Sequence, residues 1–145
     1  MDLKLTTTLA GLGTLPFIGA ALILATQQPS DAMFVLGARI ATSYALLIVS
    51  FMAGVHWGQD LAGIPSATPL MLVSNLLALA VWFAYLFMSP PQMLLWSAAL
   101  FAVLLWVDFG LARTGAIGQA YLRLRAMISG VVVVALLVSA GALWK

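Results

Sequence analysis

The sequence predicts an all-α integral membrane protein, a five-helix transmembrane bundle forming a single domain over residues 1–145. Apolar residues make up 64% of the chain and charged residues only 7%, whereas a soluble domain has about 45–50% and about 25%. The apolar residues form five long runs separated by short segments rich in Pro, Gly, Ser and Asp. Each run approaches or exceeds the roughly 20 residues that a helix needs to cross a bilayer. Because the runs are long and continuous rather than alternating over ten residues, they indicate helices and not barrel strands.

The first two spans are predicted over residues 5–25 and 33–56, with the polar segment from Gln27 to Asp31 between them. Pro16 lies in the middle of the first span, a position that membrane helices tolerate. The run is long for a signal peptide and ends in a poor cleavage sequence, Ile23-Leu24-Ala25. We therefore expect this segment to be retained as a helix.

The last three spans are predicted over residues 70–88, 93–111 and 122–144. Gly and Pro residues between Gly58 and Ser66 indicate the loop before the third span, and Ser89-Pro90-Pro91 indicates a tight turn after it. The segment from Arg113 to Gln119 separates the last two spans.

The basic residues predict the orientation. Five spans place Lys4, Arg113, Arg123 and Arg125 on one side, and Arg39 and Lys145 on the other. Since cytoplasmic loops carry the excess of Lys and Arg, we expect a cytoplasmic N-terminus and an outside C-terminus. The chain has no run of basic residues and no nucleic-acid motif, so we do not expect it to bind nucleic acid. As a membrane protein, its expected partners are the lipid bilayer and either another membrane protein or a second copy of itself.

Most of the charges and the only histidine, His56, gather at this predicted cytoplasmic face. The charged residues are Asp2, Lys4, Asp60, Asp108, Arg113, Arg123 and Arg125. A carboxylate at membrane depth is costly unless it is paired, so we expect Asp108 to pair with Arg123 or Arg125. The alternative is that these residues only mark the water boundary, with the arginines reaching back to it.

His56 allows several interpretations. It could relay protons, ligate a haem or hydrogen-bond a quinone. It could equally be a structural residue whose ring is hydrogen-bonded near the interface and holds span two to a neighbouring helix. Asp60 follows it by one helical turn, so the two share a face if the helix continues that far.

Span two carries a stripe of polar and small residues that we expect to face the bundle. Its members, within about 60° of one line at 100° per residue, are Arg39, Thr42, Ser43, Ser50, Ala53, Gly54 and Trp57. Gly54 and Gly58 form a Gly-x-x-x-Gly pair that would let another helix approach closely. Arg39 could meet Tyr44 or Asn75 inside the bundle, or reach back toward Asp31 or a lipid phosphate.

The residues for most chemistries are missing. The chain has no Cys and no Glu, and one His cannot make a multi-ligand zinc or copper site. No nucleophile, base and acid can be assembled with a sequence rationale, and no phosphate-binding loop is present. The sequence therefore favours a protein that is not an enzyme, with no metal site.

Several segments together resemble a family of small bacterial and mitochondrial membrane proteins, catalogued as domain of unknown function 3429. The resembling segments are Gly13-Thr14-Leu15-Pro16-Phe17-Ile18, Tyr44-Ala45, Ser50-Phe51-Met52-Ala53-Gly54-Val55-His56-Trp57-Gly58, Asp108 and Tyr121-Leu122-Arg123-Leu124-Arg125. The likeness implies a compact multi-helix inner-membrane protein and no assigned reaction. It also implies that the His, Trp, Asp and Arg positions belong together.

Two functions remain open at this stage. The first is an accessory, assembly or interaction subunit that uses small-residue helix faces. The second is a binding protein for a quinone, a porphyrin or an anionic lipid, with a pocket formed by His56, Trp57, Asp60, Asp108, Tyr121, Arg123 and Arg125. A transporter is a weaker third hypothesis. A binding protein requires these side chains to surround an open cavity, whereas a subunit requires them to pair with each other.

Overall fold

The computed structural model describes residues 3–145, and all regular secondary structure in this range is helical. Five segments are long and apolar enough to span a membrane, as expected of a multi-pass membrane protein. The first of them consists of two shorter helices. The helices are α1 (Leu3–Leu12), α2 (Leu15–Thr26), α3 (Ala32–Leu61), α4 (Leu70–Phe87), α5 (Pro90–Arg113) and α6 (Gln119–Leu143).

The first span is broken between α1 and α2 at Gly13 and Thr14. Pro16 has no backbone N–H, and its ring would clash with the carbonyl of Leu12 in a continuous helix. The Tyr44 hydroxyl on α3 donates a hydrogen bond to the Gly13 carbonyl at 3.0 Å, so one carbonyl at the break has a partner. The span predicted over residues 5–25 is present, but it is interrupted at this break, where α3 supplies a hydrogen bond.

Several predicted spans, including those of α3, α5 and α6, were too short because residues taken as loops belong to helices. Helix α5 begins at Pro90, three residues before the predicted start. A proline in the first turn of a helix loses nothing, because its missing N–H would have no partner there. Helix α3 likewise continues past His56 to Leu61.

Two residues beyond the ends of α3 and α5 lies a glycine with positive φ, Gly63 at 70° and Gly115 at 77° respectively. After each glycine the next N–H bonds back to the last turn, from Ile64 to the Gln59 carbonyl and from Ala116 to the Leu111 carbonyl, at 3.0 and 2.9 Å. This is the Schellman arrangement, and glycine adopts its left-handed conformation without steric cost. The two loops then fold back over the ends of their helices.

The buried stripe of α3 is made of small and apolar residues spaced mainly four apart. Its members are Phe34, Gly37, Ala41, Ala45, Val49, Ala53 and His56. Small residues let the neighbouring helices approach the α3 backbone closely. Helix α3 packs against α2, α4, α5 and α6, so it is the central helix of the bundle.

The polar stripe expected to face the bundle was wrong, with Ala53 its only buried member. Arg39, Ser43, Gly54 and Trp57 are exposed on the single chain. The hydroxyls of Thr42 and Ser43 donate to carbonyls of their own helix, at Ala38 and Arg39 respectively. Because these hydroxyls are already satisfied, they can face outward without needing a neighbouring helix.

Candidate functional site

Three buried side chains from three helices meet at one end of the bundle. The Nε2 of His56 on α3 lies 3.0 Å from Oδ1 of Asp108 on α5. The Nε of Arg125 on α6 donates to Oδ2 of the same carboxylate at 2.8 Å. We refer to these three residues as the Asp108 cluster. Of the two arginines expected to pair with Asp108, the structure selects Arg125.

The Asp108 cluster lies one to two turns inside the helix ends. His56 is five residues before the end of α3, Asp108 five before the end of α5, and Arg125 six after the start of α6. At about 1.5 Å per residue, each lies about 8–9 Å from its helix end. The cluster is nonetheless closed to water, with His56 1%, Asp108 2% and Arg125 8% exposed.

The two loops that contain Gly63 and Gly115 help to close this end of the bundle. Ile64 from the first loop and Ala116 and Ile117 from the second pack on a small core of Leu70, Val107 and Leu111. Val107 directly precedes Asp108 in α5. The left-handed glycines therefore place apolar residues over the end of the bundle that contains the cluster.

The hydrogen bonds define the roles of the atoms in the cluster. A carboxylate in its ionised form only accepts, so beside such an Asp108 the Nε2 of His56 acts as the donor. The other ring nitrogen, Nδ1, is buried without a partner among the described residues, as are Oε1 of Gln59 and Nη2 of Arg125. Buried polar atoms are usually paired, so these three atoms are the ones open to a further group.

The Asp108 cluster joins three helices and balances its own charge. Asp108 neutralises Arg125, and each of its two oxygens accepts one bond from a different helix. In the described part of the chain, no hydroxyl or amine hydrogen-bonds the His56 ring, and no group of three His, Cys, Asp or Glu could hold a metal ion. The geometry thus suits a clamp between helices more than a nucleophile with its base.

Several residues expected at this site lie elsewhere on the surface. Asp60 and Arg123 are exposed, although each is on the same helix as a member of the cluster. Trp57 is 37% exposed and has no hydrogen bond with a member of the cluster. These three residues do not join the Asp108 cluster. Asp2, also assigned to this face, lies outside the described residues.

The polar residues expected within the membrane do not form a common site. Arg39 is exposed, and its side chain has no hydrogen bond or ion pair with another described residue. Asn75 is exposed and donates to the Met71 carbonyl of its own helix at 2.9 Å. Tyr44 binds the α1–α2 break, and Ser50 lines a shallow surface groove with Trp82.

A cavity of about 440 Å³ adjoins the Asp108 cluster, bounded by the α1–α2 break, α3, α5 and α6. Its wall is mostly apolar, with Arg125, Tyr121, Ser129, Thr14 and Thr6 as polar members. Two lining residues, Leu9 and Phe51, are more than half exposed, so the cavity reaches the outer surface between α1 and α3. We call it the Arg125 cavity.

Sequence reasoning found Arg125 and Tyr121 but missed the other walls of this cavity. Met52, whose Sδ lies 3.3 Å from Nη1 of Arg125, gave no signal among the many apolar residues of α3. Thr14 and Phe17 lie at the helix break. The Gly13-Thr14-Leu15-Pro16 segment could have indicated that break, since Pro16 interrupts helix hydrogen bonding.

Comparison with known proteins gives a family and no function. No curated protein and no solved structure matches this chain. A model of a family described as "Protein of unknown function (DUF3429)" matches residues 4–141, which include α2 to α5 entirely and nearly all of α6. The resemblance found in the sequence is thereby confirmed, and the chain belongs to the DUF3429 family.

Proposed function

We propose that this protein binds a small amphiphilic molecule from the bilayer in the Arg125 cavity. The observation that carries this proposal is Arg125 itself. It is more than nine-tenths buried, it lines an apolar cavity, and its Nη2 has no partner among the described residues. A buried guanidinium N–H without an acceptor is costly, so a ligand that supplies one would bind favourably.

The shape of the cavity supports an amphiphile. Its volume of about 440 Å³ lies within the range of about 300–1,000 Å³ that is common for small-molecule sites. Arg125 and Tyr121 lie near the start of α6, whereas Val132 lines the cavity two turns further on, about 10 Å deeper at 1.5 Å per residue. A headgroup would thus lie near the membrane surface and an apolar chain would point inward.

The cavity opening supports entry from the lipid phase. Leu9 and Phe51 border the cavity and are exposed on the outside of the bundle, where they would contact lipid rather than water. The loop residues around Ile64 and Ile117 pack over the same end of the bundle. A molecule dissolved in the bilayer would therefore reach the Arg125 cavity by a shorter route than one that enters from water past these loops.

We place the cluster end of the bundle in the cytoplasm and the protein in a cell inner membrane. Lys4, Arg113, Arg123 and Arg125 belong to that end, whereas Arg39 and Lys145 belong to the other. This excess of basic residues supports a cytoplasmic N-terminus. Reporter fusions at each terminus test it, and a cytoplasmic Lys145 would reverse the assignment.

The test of the binding function is gentle purification followed by mass spectrometry for bound small molecules. Ala10→Phe should reduce the bound molecule, because it adds a ring to the cavity wall on α1 without altering the Asp108 cluster. Ala102→Phe is the matched control, since Ala102 is exposed on α5. Equal loading of both variants and the wild type would contradict binding in this cavity.

A second candidate function, an accessory or interaction subunit, is supported by the outer face of α3. Gly54 and Gly58 are exposed there, and beyond its own helix backbone a Cβ on either would meet no atom within 4 Å in the part of the chain that the structure describes. This leaves room for the close approach of another membrane helix. The same purification would recover a partner or a dimer in that case, and a clean, empty monomer would contradict both functions.

A further inference from the structure

Only one of the three guanidinium nitrogens of Arg125 donates to a strong acceptor. Its Nε donates to Oδ2 of Asp108 at 2.8 Å. Its Nη1 is directed at the thioether Sδ of Met52 at 3.3 Å, a weak acceptor, and its Nη2 has no partner among the described residues. The Nη1–Nη2 edge is therefore the unused side of a planar donor group.

We infer that the ligand of the Arg125 cavity is a single-chain amphiphile with an anionic head of two or more oxygens, a carboxylate or a phosphate. The inference rests on the proposed binding function and names the chemistry of its ligand. Parallel N–H groups of an arginine match the two oxygens of such a head, in the bidentate geometry that makes these pairs strong. A quinone offers a single carbonyl to this edge and leaves one of the two nitrogens without a strong acceptor.

The charge around the cavity favours the same ligand. Asp108 neutralises Arg125 within the cluster, so an added anion must be compensated by groups nearby. Lys4, Arg113 and Arg123 lie at this end of the bundle, with Asp60 as the other described carboxylate there. The excess of positive charge attracts an anionic headgroup to this end from the membrane surface.

Met52 and Tyr121 complete the headgroup site. Nη2 is shielded from solvent, so a headgroup reaches it only after a neighbouring side chain moves. The Met52 thioether can move at low cost because its side chain is unbranched and flexible. Tyr121 lies one turn before Arg125 on α6 and lines the same cavity, so its hydroxyl is a second donor at the headgroup end.

A single chain fits the space beyond the headgroup. Phe17, Phe101 and Val132 are all buried and line the inner part of the cavity. A volume of about 440 Å³ lies in the lower half of the usual range of about 300–1,000 Å³, which favours one chain over the two of a phospholipid.

The test is calorimetric titration of the full chain in nanodiscs, with empty nanodiscs subtracted, at a pH that keeps the acids ionised. The probes are palmitate, hexadecyl phosphate, methyl palmitate and a quinone with a ten-carbon chain. We expect palmitate or hexadecyl phosphate to bind at least about tenfold more tightly than methyl palmitate, since a hydrogen bond to a charged group is at stake. Whichever of the two anions binds more tightly identifies the headgroup as carboxylate or phosphate.

The variants assign the preference to Arg125. Arg125→Lys keeps the charge beside Asp108 but loses the planar edge, so we expect the preference for the anion to fall by about tenfold. Arg39→Gln, which removes an exposed arginine at the other end of the bundle, should leave the preference nearly unchanged. A thermal unfolding curve of each variant shows whether it is folded, and the comparison of probes on the wild type does not depend on any variant.

The outcomes separate the two proposals. Equal binding of palmitate, methyl palmitate and the quinone would overturn the anionic headgroup and leave the amphiphile function standing. No binding of any probe would overturn both. An anion preference that survives in a folded Arg125→Lys variant would overturn the role of the Nη1–Nη2 edge.

Discussion

The Nε of Arg125 donates to Oδ2 of Asp108 at 2.8 Å, and this bond joins the first turns of α6 to the last turns of α5. Both side chains are buried, so neither can exchange the other for water. His56 occupies the second oxygen of Asp108 and adds α3 to the same joint. One carboxylate thus fixes the relative positions of three spans beside the Arg125 cavity.

Asp108→Asn should destabilise the protein strongly. The substitution removes the charge that balances Arg125 and leaves that cation buried without a counterion. Removing one partner of a buried ion pair costs about 3–5 kcal/mol. Unfolding in detergent, followed by circular dichroism, measures the loss.

The matching double variant, Asp108→Asn with Arg125→Gln, should be more stable than Asp108→Asn alone. Neutralising Arg125 removes the unpaired charge that the first substitution creates. A complete double-mutant cycle measures the coupling between the two residues. Additive effects in that cycle would show that the pair is not coupled.

Tyr44→Phe should loosen the α1–α2 break. The variant keeps the contact between the Tyr44 and Phe17 rings, whose centroids are 4.9 Å apart, and loses only the bond to the Gly13 carbonyl. We expect a loss of about 0.5–1.5 kcal/mol and faster hydrogen exchange in α1. Tyr85→Phe is the control, because the Tyr85 ring is exposed on α4. Unchanged exchange in α1 would mean that Tyr44 does not hold the break.

The number of spans could be predicted from sequence because bilayer thickness fixes the length of an apolar run. The helix ends were harder. Proline is common both in turns and in the first turn of a helix, so Pro90 was assigned to the turn before α5 although it is the first residue of that helix. Pro16 was read as tolerated inside a span, but here its missing N–H coincides with a break that the Tyr44 hydroxyl stabilises.

The candidate site could be predicted only in part. The cost of a charge within the membrane indicated that Asp108 needed an arginine, but two arginines lay close enough in sequence to serve. Only the helix packing decides between them, since Arg125 is buried and Arg123 is exposed. The polar residues of α3 predicted the wrong buried face, because the Thr42 and Ser43 hydroxyls bond to carbonyls of their own helix and need no neighbouring helix. The four-residue spacing of Gly37, Ala41 and Ala45, with Ala53 eight residues further on, was the better signal.

Ser74→Ala should weaken the contact between α3 and α4. The Ser74 hydroxyl is buried and donates to the Ala53 carbonyl at 2.6 Å, across the helix pair. Hydrogen bonds between membrane helices contribute about 0.6 kcal/mol on average and about 1.7 at most. Ser43→Ala is the matched control, because its exposed hydroxyl bonds only within α3. Equal unfolding free energies for the two variants would contradict a stabilising role for the Ser74 bond.

Gly37→Ala and Gly54→Ala should differ in their effect on monomer stability, although both add one methyl group to α3. A Cβ on Gly37 would lie 2.8 Å from Cγ2 of Ile23 and 3.3 Å from Cγ of Leu24, so the Ile23 side chain or α2 itself must shift to admit it. Overpacking of this kind costs about 1–3 kcal/mol, measurable by unfolding in detergent. Apart from its own helix backbone and chain neighbours, a Cβ on Gly54 meets no atom of the described residues within 4 Å, so the monomer should keep its stability. If a second helix packs on Gly54 and Gly58, Gly54→Ala should instead lower the fraction of the complex, measured by cross-linking in membranes. Loss of monomer stability in Gly54→Ala would contradict an outward-facing Gly54.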